Sequence, residues 1–487
     1  MPRYAYDRLT ALDNSFLLLE KPSSYMHVAS TQIHKTGPLR TEGGGVDAAR
    51  IRKLFAAVLH RIPRYRQKLA WIPFENHPVW VDDDNFNLDF HLRHTGLPRP
   101  GTEEQLKRLS ARIMQQHLDR SRPLWEMWIV EGLEDDRFAI ISKTHHCMID
   151  GASGVDIMRV LMTPEPDDRI PDEPSWVPRP APSGLELMRH EFLRRARLPL
   201  EILRGAVSAM RTAESLRFDV MTRIRAVTEA LGGSLRLPSE TPFNREIGPH
   251  RRFDWMTMDL ADIKKLRKSL GGSLNDIVLT IVTGAVRSFL RARHVNPDKL
   301  DFRVMAPVSV RSENERGVLG NRVSAWIVPL PIGETDRRVQ LERITERTTR
   351  LKESNSAVGA AVLTQAAEYT PSTLLALGAR NMTRLLPFNL VVTNVPGPQV
   401  PMYMIGAELL ECFPHVPLTD RLGLGIALMS YNGKLCWGFN ADYDLVPDLR
   451  EFVAAIEASF NELMALAVAR PTLVASIGRD AKQKSAV

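Results

Sequence analysis

The sequence predicts an α/β fold, because helix and strand patterns alternate along it. Residues 138–141 form an apolar run typical of a buried strand, and Asp150-Gly151 downstream is a common way to leave a strand by a turn. Residues 423–430 and 434–440 pair as a hairpin, since Asn432-Gly433 between them favours a tight turn. One face of a predicted helix at 48–59 collects the apolar residues Ile51, Leu54, Phe55, Val58 and Leu59.

The first block, residues 1–162, is predicted to be one lobe that mixes strands with amphipathic helices. Pro123-Leu124-Trp125 precedes a strand at 127–130, and the simplest interpretation of Trp125 is a packed residue at the strand's start. Seven prolines with scattered acids then fill residues 163–182, a composition that cannot hold regular structure. This stretch opens a connector that we place at 163–240.

The rest of the connector, residues 184–237, is predicted to be helical and amphipathic. It carries ten arginines against six acids and no lysine. Two interpretations stay open: a helix that packs across two domains, and a helix that lies on a lipid surface with its arginines at the polar interface.

The second block, residues 241–475, is predicted to be a second lobe, followed by a disordered tail at 476–487. Asn275 and Asp276 lie in the first turn of a predicted helix; Asp276 fits a helix-starting cap, and Asn275 could instead aim its amide at a cleft to stabilise an oxyanion. The elements expected in this block are helices at 259–270, 273–290, 337–352 and 448–466, and strands at 303–311, 323–330 and 390–394.

Composition excludes several classes of protein. The chain has 487 residues, 44% hydrophobic and 25% charged, which is ordinary for a globular protein of two or more domains. A net charge of +7 without a dense basic run gives no nucleic-acid signature. Three cysteines without paired spacing argue against a disulfide framework, and no apolar stretch is long enough to span a bilayer. We therefore expect a cytoplasmic protein, free or attached to a membrane surface.

The functional prediction depends on residues 145–151, HHCMIDG. Adjacent residues on a strand point to opposite faces, so only one of His145 and His146 can be the working base in a cleft. Imidazole is the side chain best suited to take and return a proton at cell pH. Asp150 could pair with that imidazole or form an ion pair that shapes the loop, and both readings stay open. Cys147 is better explained as a small buried residue than as a nucleophile.

HHxxxDG is the signature of the CoA-dependent acyltransferase superfamily, which includes chloramphenicol acetyltransferase and the condensation domains of peptide synthetases. Over nearly its whole length this chain resembles the bacterial wax ester synthase/diacylglycerol acyltransferase family in particular. The matching stretches, in the family's order, are LTALDNSFLLLE from Leu9 with Met26-His27-Val28, PLWE from Pro123, TPFNREIGPHRR from Thr241, Asn275-Asp276, VLGNRVSAW from Val318 and VVTNVPGP from Val391.

The resemblance implies two chloramphenicol-acetyltransferase-like lobes with the active site in a channel at their junction. It also implies acyl transfer from acyl-CoA, a substrate, to a long-chain alcohol or to diacylglycerol. His146 matches the base; His145 would support the strand, Asp150 would orient the loop, and Gly151 would let the backbone turn closely. Neither a covalent intermediate nor a cofactor or metal is required, because holding both substrates beside a base already supplies a large effective molarity.

Two alternatives from other classes stay open. A condensation-type acyltransferase would take acyl groups from a carrier protein and keep the same base. A non-catalytic protein of lipid droplets would bind lipid and make no ester. For the acyltransferase itself, peripheral contact with the inner membrane face or with lipid droplets is expected, because its acceptors are lipids.

Overall fold

The computed structural model describes residues 6–148, 153–196, 237–309, 323–353 and 386–483. In the N-terminal part the elements are β1 (Asp7–Arg8), α1 (Ala11–Leu19), β2 (His27–Lys35), α2 (Ala48–Val58), β3 (Gln67–Ile72), β4 (His77–Asp82), α3 (Leu88–His91), β5 (Leu92–Gly96), α4 (Glu103–Met114), β6 (Trp125–Leu133), β7 (Arg137–His145) and α5 (Ser153–Leu161).

A second set of elements follows the connector. These are β8 (Arg251–Asp259), α6 (Leu260–Leu270), α7 (Leu274–Ala292), β9 (Phe302–Ser309), β10 (Val323–Leu330), α8 (Arg337–Glu353), β11 (Leu390–Pro396), β12 (Tyr403–Met404), β13 (Ala407–His415), β14 (Leu424–Tyr431), β15 (Lys434–Asp442) and α9 (Leu449–Gln483).

Each lobe is built on its own six-stranded sheet. The N-terminal sheet has the order β12-β13-β2-β7-β6-β5, and the C-terminal sheet has the order β10-β9-β11-β14-β15-β8. A small third sheet, β1-β4-β3, belongs to the N-terminal part. Helix and strand do alternate, so the predicted α/β class is confirmed.

The C-terminal half of the chain does not stay in its own lobe. After β11 it crosses to the N-terminal sheet, where β12 pairs with β13 and β13 pairs antiparallel with β2. The block predicted at 241–475 thus contains a segment, residues 403–415, that completes the N-terminal sheet. Sequence pattern could not show this, because a strand's alternation reports its faces and not the sheet it joins.

Two elements that the sequence predicts from a turn and a helix cap are present in the structure. The hairpin β14–β15 turns at Asn432 and Gly433, which both have positive φ, as an Asn-Gly turn requires. Helix α7 begins at a capping box, in which Ser273 and Asp276 each accept from the other's backbone N–H. The predicted cap role of Asp276 is thus confirmed, and the buried length of α7 forms the centre of the C-terminal core.

The connector is irregular over the proline-rich stretch, as predicted, and becomes helical at 184–196. Most of its remainder, 197–236, lies outside the described residues, so the two interpretations of 184–237 are open there. Helix α9 continues to Gln483, past the end predicted at 466 and into the predicted tail. Within the described residues no single helix is long and apolar enough to cross a membrane; α6 and α7 would qualify only as a pair, bent by 96°.

Candidate active site

The two motif histidines lie where β7 ends. His145 is the last residue of the strand, paired with His27 across β2, and His146 begins a short 3-10 turn, His146–Met148. The backbone N–H of His145 donates to the carbonyl of Leu124, and that of His146 donates to the carbonyl of Met26. The change from strand to turn is what sends the two imidazoles into different surroundings.

His145 is buried and held on two sides. The backbone N–H of Cys147 donates to its Nδ1 at 3.2 Å, which places the ring proton on Nε2. Nε2 faces Glu20, 3.7 Å from a carboxylate oxygen. Burial lowers the pKa of His145, while the neighbouring Glu20 acts in the opposite direction. His145 is therefore a neutral, oriented ring within the sheet.

Positive and titratable side chains surround the carboxylate of Glu20. Arg120 donates to it at 2.6 Å, His27 lies at 3.4 Å and His117 at 3.5 Å. Burial opposes ionisation of Glu20, but its bonds to His145, His27 and Arg120 outweigh that cost and hold the pKa of its carboxyl well below the usual range. Burial also lowers the pKa of His27 to about 4, so His27 is neutral at cell pH.

His146 is half-buried, in contrast to His145. Its ring stacks on Phe16 of α1, with centroids 3.9 Å apart and planes 16° apart. This stacking fixes the plane of the imidazole without placing it in the interior of the sheet. Of the two histidines, His146 is the more exposed.

Cys147 is buried among Leu9, Leu17, Trp80 and Leu124. Burial raises the pKa of its thiol well above the usual value, so it stays a thiol. The interpretation of Cys147 as a packed residue rather than a nucleophile agrees with this position.

Trp125 is also structural. Its indole is buried, donates to the carbonyl of Tyr65 at 2.8 Å and stacks on His91. These contacts match the packed position predicted for it at the start of a strand.

The segment before β2, whose first residue pairs with His145, contacts the C-terminal lobe. The segment before β2 reaches the C-terminal lobe through Ser24, whose hydroxyl donates to Leu418 at 3.0 Å, and Tyr25, whose hydroxyl donates to Pro249 at 2.9 Å. Arg251 of β8 donates to Ser23 and lies over the ring of Tyr25. The strand beside His145 is thus fixed by contacts from both lobes.

Asn275 lies in the C-terminal lobe, exposed at the first turn of α7. Its Oδ1 accepts from Nδ2 of Asn394 in β11 at 2.8 Å. This bond joins two of the stretches that carried the family resemblance, Asn275-Asp276 and VVTNVPGP. The structure does not place Asn275 in contact with the histidines. Asp150 and Gly151 lie outside the described residues, so their roles remain predictions.

Across the described ranges, no group of three His, Cys, Asp or Glu side chains is arranged to hold a metal ion. The histidines around Glu20 lie 3.4–3.7 Å from its carboxylate and form a charge cluster with it.

Comparison with known proteins decides the family. A profile of the wax ester synthase/diacylglycerol acyltransferase catalytic domain matches residues 9–278, and one of the WS/DGAT C-terminal domain matches residues 319–464. The chain belongs to this family. Its enzyme class, an acyl-CoA-dependent O-acyltransferase, is the one that the sequence predicted.

Relatives of this acyltransferase match over nearly the whole chain. A putative diacylglycerol O-acyltransferase of Mycobacterium tuberculosis is 31% identical over 475 residues, covering 94% of this chain and 90% of the relative. A probable diacylglycerol O-acyltransferase of the same organism is 30% identical over 468 residues, covering 95% and 97%.

Solved structures show the same two-lobed fold. The wax ester synthase/diacylglycerol acyltransferase of Marinobacter aquaeolei VT8 has a TM-score of 0.66 at 24% identity, covering 94% of this chain and 99% of that one. The starter condensation domain of rhizomide synthetase, solved with C8-CoA and Leu-SNAC, has a TM-score of 0.58 at 12% identity, covering 95% and 94%.

Sequence reasoning missed the cluster around Glu20. In the sequence, Glu20 ends the apolar run Leu17-Leu18-Leu19, and both Glu20 and His27 lie in stretches that resemble the family. The available signal was a carboxylate placed directly after an apolar helix, with a histidine seven residues on. The pairing of β2 with β7 brings His27 beside His145, and the end of α1 brings Glu20 there.

Proposed function

We propose that this WS/DGAT enzyme transfers a fatty acyl group from acyl-CoA to a long-chain alcohol or to diacylglycerol, with His146 as the general base. The observation that carries the proposal is the difference between the two histidines. His145 has both ring nitrogens directed at partners in the interior, whereas His146 is half-buried and oriented by the Phe16 ring. A base must reach the proton that it removes, so His146 fits this task and His145 supports it.

The reaction balances with one base. His146 takes the hydroxyl proton as the alcohol oxygen attacks the thioester carbonyl, and a tetrahedral oxyanion forms. The C–S bond then breaks, and the imidazolium returns the proton to the thiolate of CoA. The ester bond replaces the thioester bond, and no covalent enzyme intermediate is needed.

Asn275 is the candidate donor to the oxyanion. Its hydrogen bond to Asn394 uses the amide oxygen, which leaves the NH₂ group as the outward-facing donor. An amide donor held at the first turn of a helix suits developing negative charge, which the helix dipole also favours. Asp150 and Gly151 would complete the loop after His146, Asp150 by orienting it and Gly151 by allowing its turn.

The acceptors define where the enzyme works. Long-chain alcohols and diacylglycerol partition into lipid, so we propose that the protein acts from the cytoplasm at a membrane or lipid-droplet surface. No further cofactor enters the proposed chemistry.

The experiment is a paired assay on purified protein. Palmitoyl-CoA is supplied with hexadecanol or with diacylglycerol, and free thiol and lipid products are followed together for the parent, His146→Ala and His145→Ala. We expect His146→Ala to lower kcat by about 10²- to 10⁴-fold with its thermal midpoint unchanged. His145→Ala should lower the thermal midpoint, because it empties a buried site.

Three outcomes would contradict the proposal. A His146→Ala enzyme with parental kcat would remove His146 as the base. Turnover with an acylated carrier protein, but not with palmitoyl-CoA, would indicate a condensation-type enzyme. Lipid binding without ester from any donor would indicate a non-catalytic lipid-binding protein.

A further inference from the structure

The small sheet β1-β4-β3 is covered on one face by the helix at 184–196. Leu187 of this helix is buried against Ile72, Val79 and Val81. A Cβ built on Gly184 would lie 3.1 Å from Cγ of Pro73, so the helix begins beside the tip of the β3–β4 hairpin. Sheet and helix thus form one surface unit.

In the helix at 184–196, a charged side faces the protein. Glu191 is buried and binds Arg8 at 2.6 Å, while Arg195 binds both Glu191 and Glu75. The opposite side carries large apolar residues in water: Leu185 and Phe192 are each 73% exposed, and Leu193 is 43% exposed. A helix on a soluble core normally has the reverse arrangement.

The hairpin tip adds a second, independent observation. Phe74 is 96% exposed, and its φ of 63° lies in the left-handed region that bulky residues rarely adopt. Strained backbone is concentrated at functional sites, and here it accompanies an aromatic ring exposed to solvent.

The charge around these apolar side chains is positive. Three arginines, at positions 8, 194 and 195, share the two carboxylates of Glu75 and Glu191. The carboxylates are nearly buried, with side chains 10% and 9% exposed, whereas Arg194 and Arg195 are 37% and 47% exposed. Arg189 is also exposed, and Glu186 is turned back onto Ser183 as a helix cap. The surface therefore presents cations around its apolar residues.

We infer that this surface, formed by Phe74, Leu185, Arg189, Phe192 and Leu193, docks the protein on an anionic phospholipid bilayer. Apolar side chains that enter the acyl boundary, with arginines at the headgroups, match the requirements of interfacial binding. The inference deepens the proposed function, since it rests on acceptors that reside in lipid.

The position of the surface suits that function. The opposite face of the same small sheet carries Leu69 and Trp80, which pack in one cluster with Cys147 of the catalytic turn and with Phe16. Docking through Phe74 and the helix would therefore leave only this helix and the small sheet between the lipid and the turn that carries His146.

The test is sedimentation of the full chain with vesicles, either of phosphatidylcholine alone or of phosphatidylcholine with an equal amount of phosphatidylglycerol. We expect affinity for the mixed vesicles to fall about tenfold for each of Phe74→Ser and Phe192→Ser, because each removes one buried phenyl group. Arg189→Glu should reduce the preference for anionic over neutral vesicles. Val400→Ser, which alters a half-exposed apolar residue of the C-terminal half, is the control and should bind as the parent does.

A second readout does not depend on affinity. A polarity-sensitive fluorophore on Phe74→Cys should shift its emission to the blue when mixed vesicles are added, and the same label on Val400→Cys should not; the native cysteines are buried. Parental binding by the Phe74→Ser/Phe192→Ser double variant, or an unshifted Phe74→Cys label, would overturn the inference. The double variant should keep parental thiol release with detergent-dispersed acceptor. If the parent binds vesicles but releases no thiol with any acceptor, the proposed function is wrong and the inference about docking still stands.

Discussion

A carboxylate oxygen of Glu20 lies 3.7 Å from Nε2 of His145, in a part of the molecule where both side chains are almost fully buried. The relationship joins the end of α1 to the end of β7. It means that the histidine preceding the proposed base is oriented by a charge from a different element, and that Arg120 in turn holds this charge. The residue before the proposed base is therefore held by contacts with α1 as well as by its own strand.

Glu20→Gln should lower kcat by about 10- to 100-fold while KM changes little. Glutamine keeps the shape but loses the charge that orients His145, and a small displacement of the turn is costly for a proton transfer. Steady-state assays with palmitoyl-CoA measure both constants. Glu42→Gln, on an exposed loop, is the matched control. A Glu20→Gln enzyme that loses affinity and keeps kcat would mean that Glu20 acts in substrate binding instead.

Phe16→Leu should lower kcat by roughly two- to tenfold, the range expected for the loss of one aromatic stack. Leucine preserves an apolar contact with α1 but supplies no ring for His146 to lie on. Phe16→Tyr keeps the ring and should retain parental kcat. Equal losses in the two variants would show that volume at this position matters and that stacking does not.

Much of this site could be read from the sequence, and the remainder depends on pairing between distant segments. The end of β7 at His145 followed from an apolar run and a polar turn, and the helix beginning at Ser273 followed from its cap. Glu20, His117 and Arg120 gave no such local signal, because each is an ordinary polar residue until the end of α1 and the segment between α4 and β6 meet beside β7. The crossing of β12 and β13 was hidden for the same reason, since sheet membership is a long-range property.

Two neighbouring substitutions at the start of α7 should have different effects. Asp276→Ala should lower stability, and Asn275→Ala should lower kcat. Asp276 is buried, completes the capping box and accepts from Thr348 at 2.7 Å, so its loss should cost about 2 kcal/mol of unfolding free energy. Asn275 is exposed, and its loss should leave stability within about 0.5 kcal/mol while lowering kcat. Urea unfolding and steady-state kinetics measure the two effects. An Asn275→Ala enzyme with parental kcat would remove it as the oxyanion donor.

The buried His34 should make the fold sensitive to mild acid. Burial lowers its pKa to about 3, whereas the unfolded chain binds the proton near 6.5, so acidification favours the unfolded state below that value. Between pH 7.5 and pH 5 this one group should remove about 2 kcal/mol of stability. His34→Phe, which can still pack on Phe138, should abolish that part of the loss, and urea unfolding at both pH values measures it. His60→Gln changes a histidine at an exposed site, and its free energy of unfolding should fall on acidification as that of the parent does. The same fall in His34→Phe would contradict the prediction.

Lys143 and Glu126 form an ion pair inside the N-terminal sheet, two residues before His145. Nζ of Lys143 lies 2.5 Å from Glu126 and donates to the carbonyls of Ile113 and Gln116. Burial lowers the pKa of Lys143, and Glu126 opposes this, so each charge depends on the other. Glu126→Leu alone should cost about 3–5 kcal/mol, because it leaves the buried charge of Lys143 without its partner. Lys143→Met should cost less, because Glu126 keeps Arg93 at 3.5 Å.

The double variant Lys143→Met/Glu126→Leu should cost much less than the sum of the single changes. It removes both buried charges together. The two carbonyls that Lys143 satisfied lose their donor, and the partly exposed Arg93 loses its contact with Glu126. A urea-unfolding cycle over the four proteins gives the coupling energy directly, which we expect to exceed about 2 kcal/mol. Additive single effects would mean that the pair is solvated in solution. In that case the rigidity of β7 ahead of His145 would have to come from its backbone pairing with β2 and β6 alone.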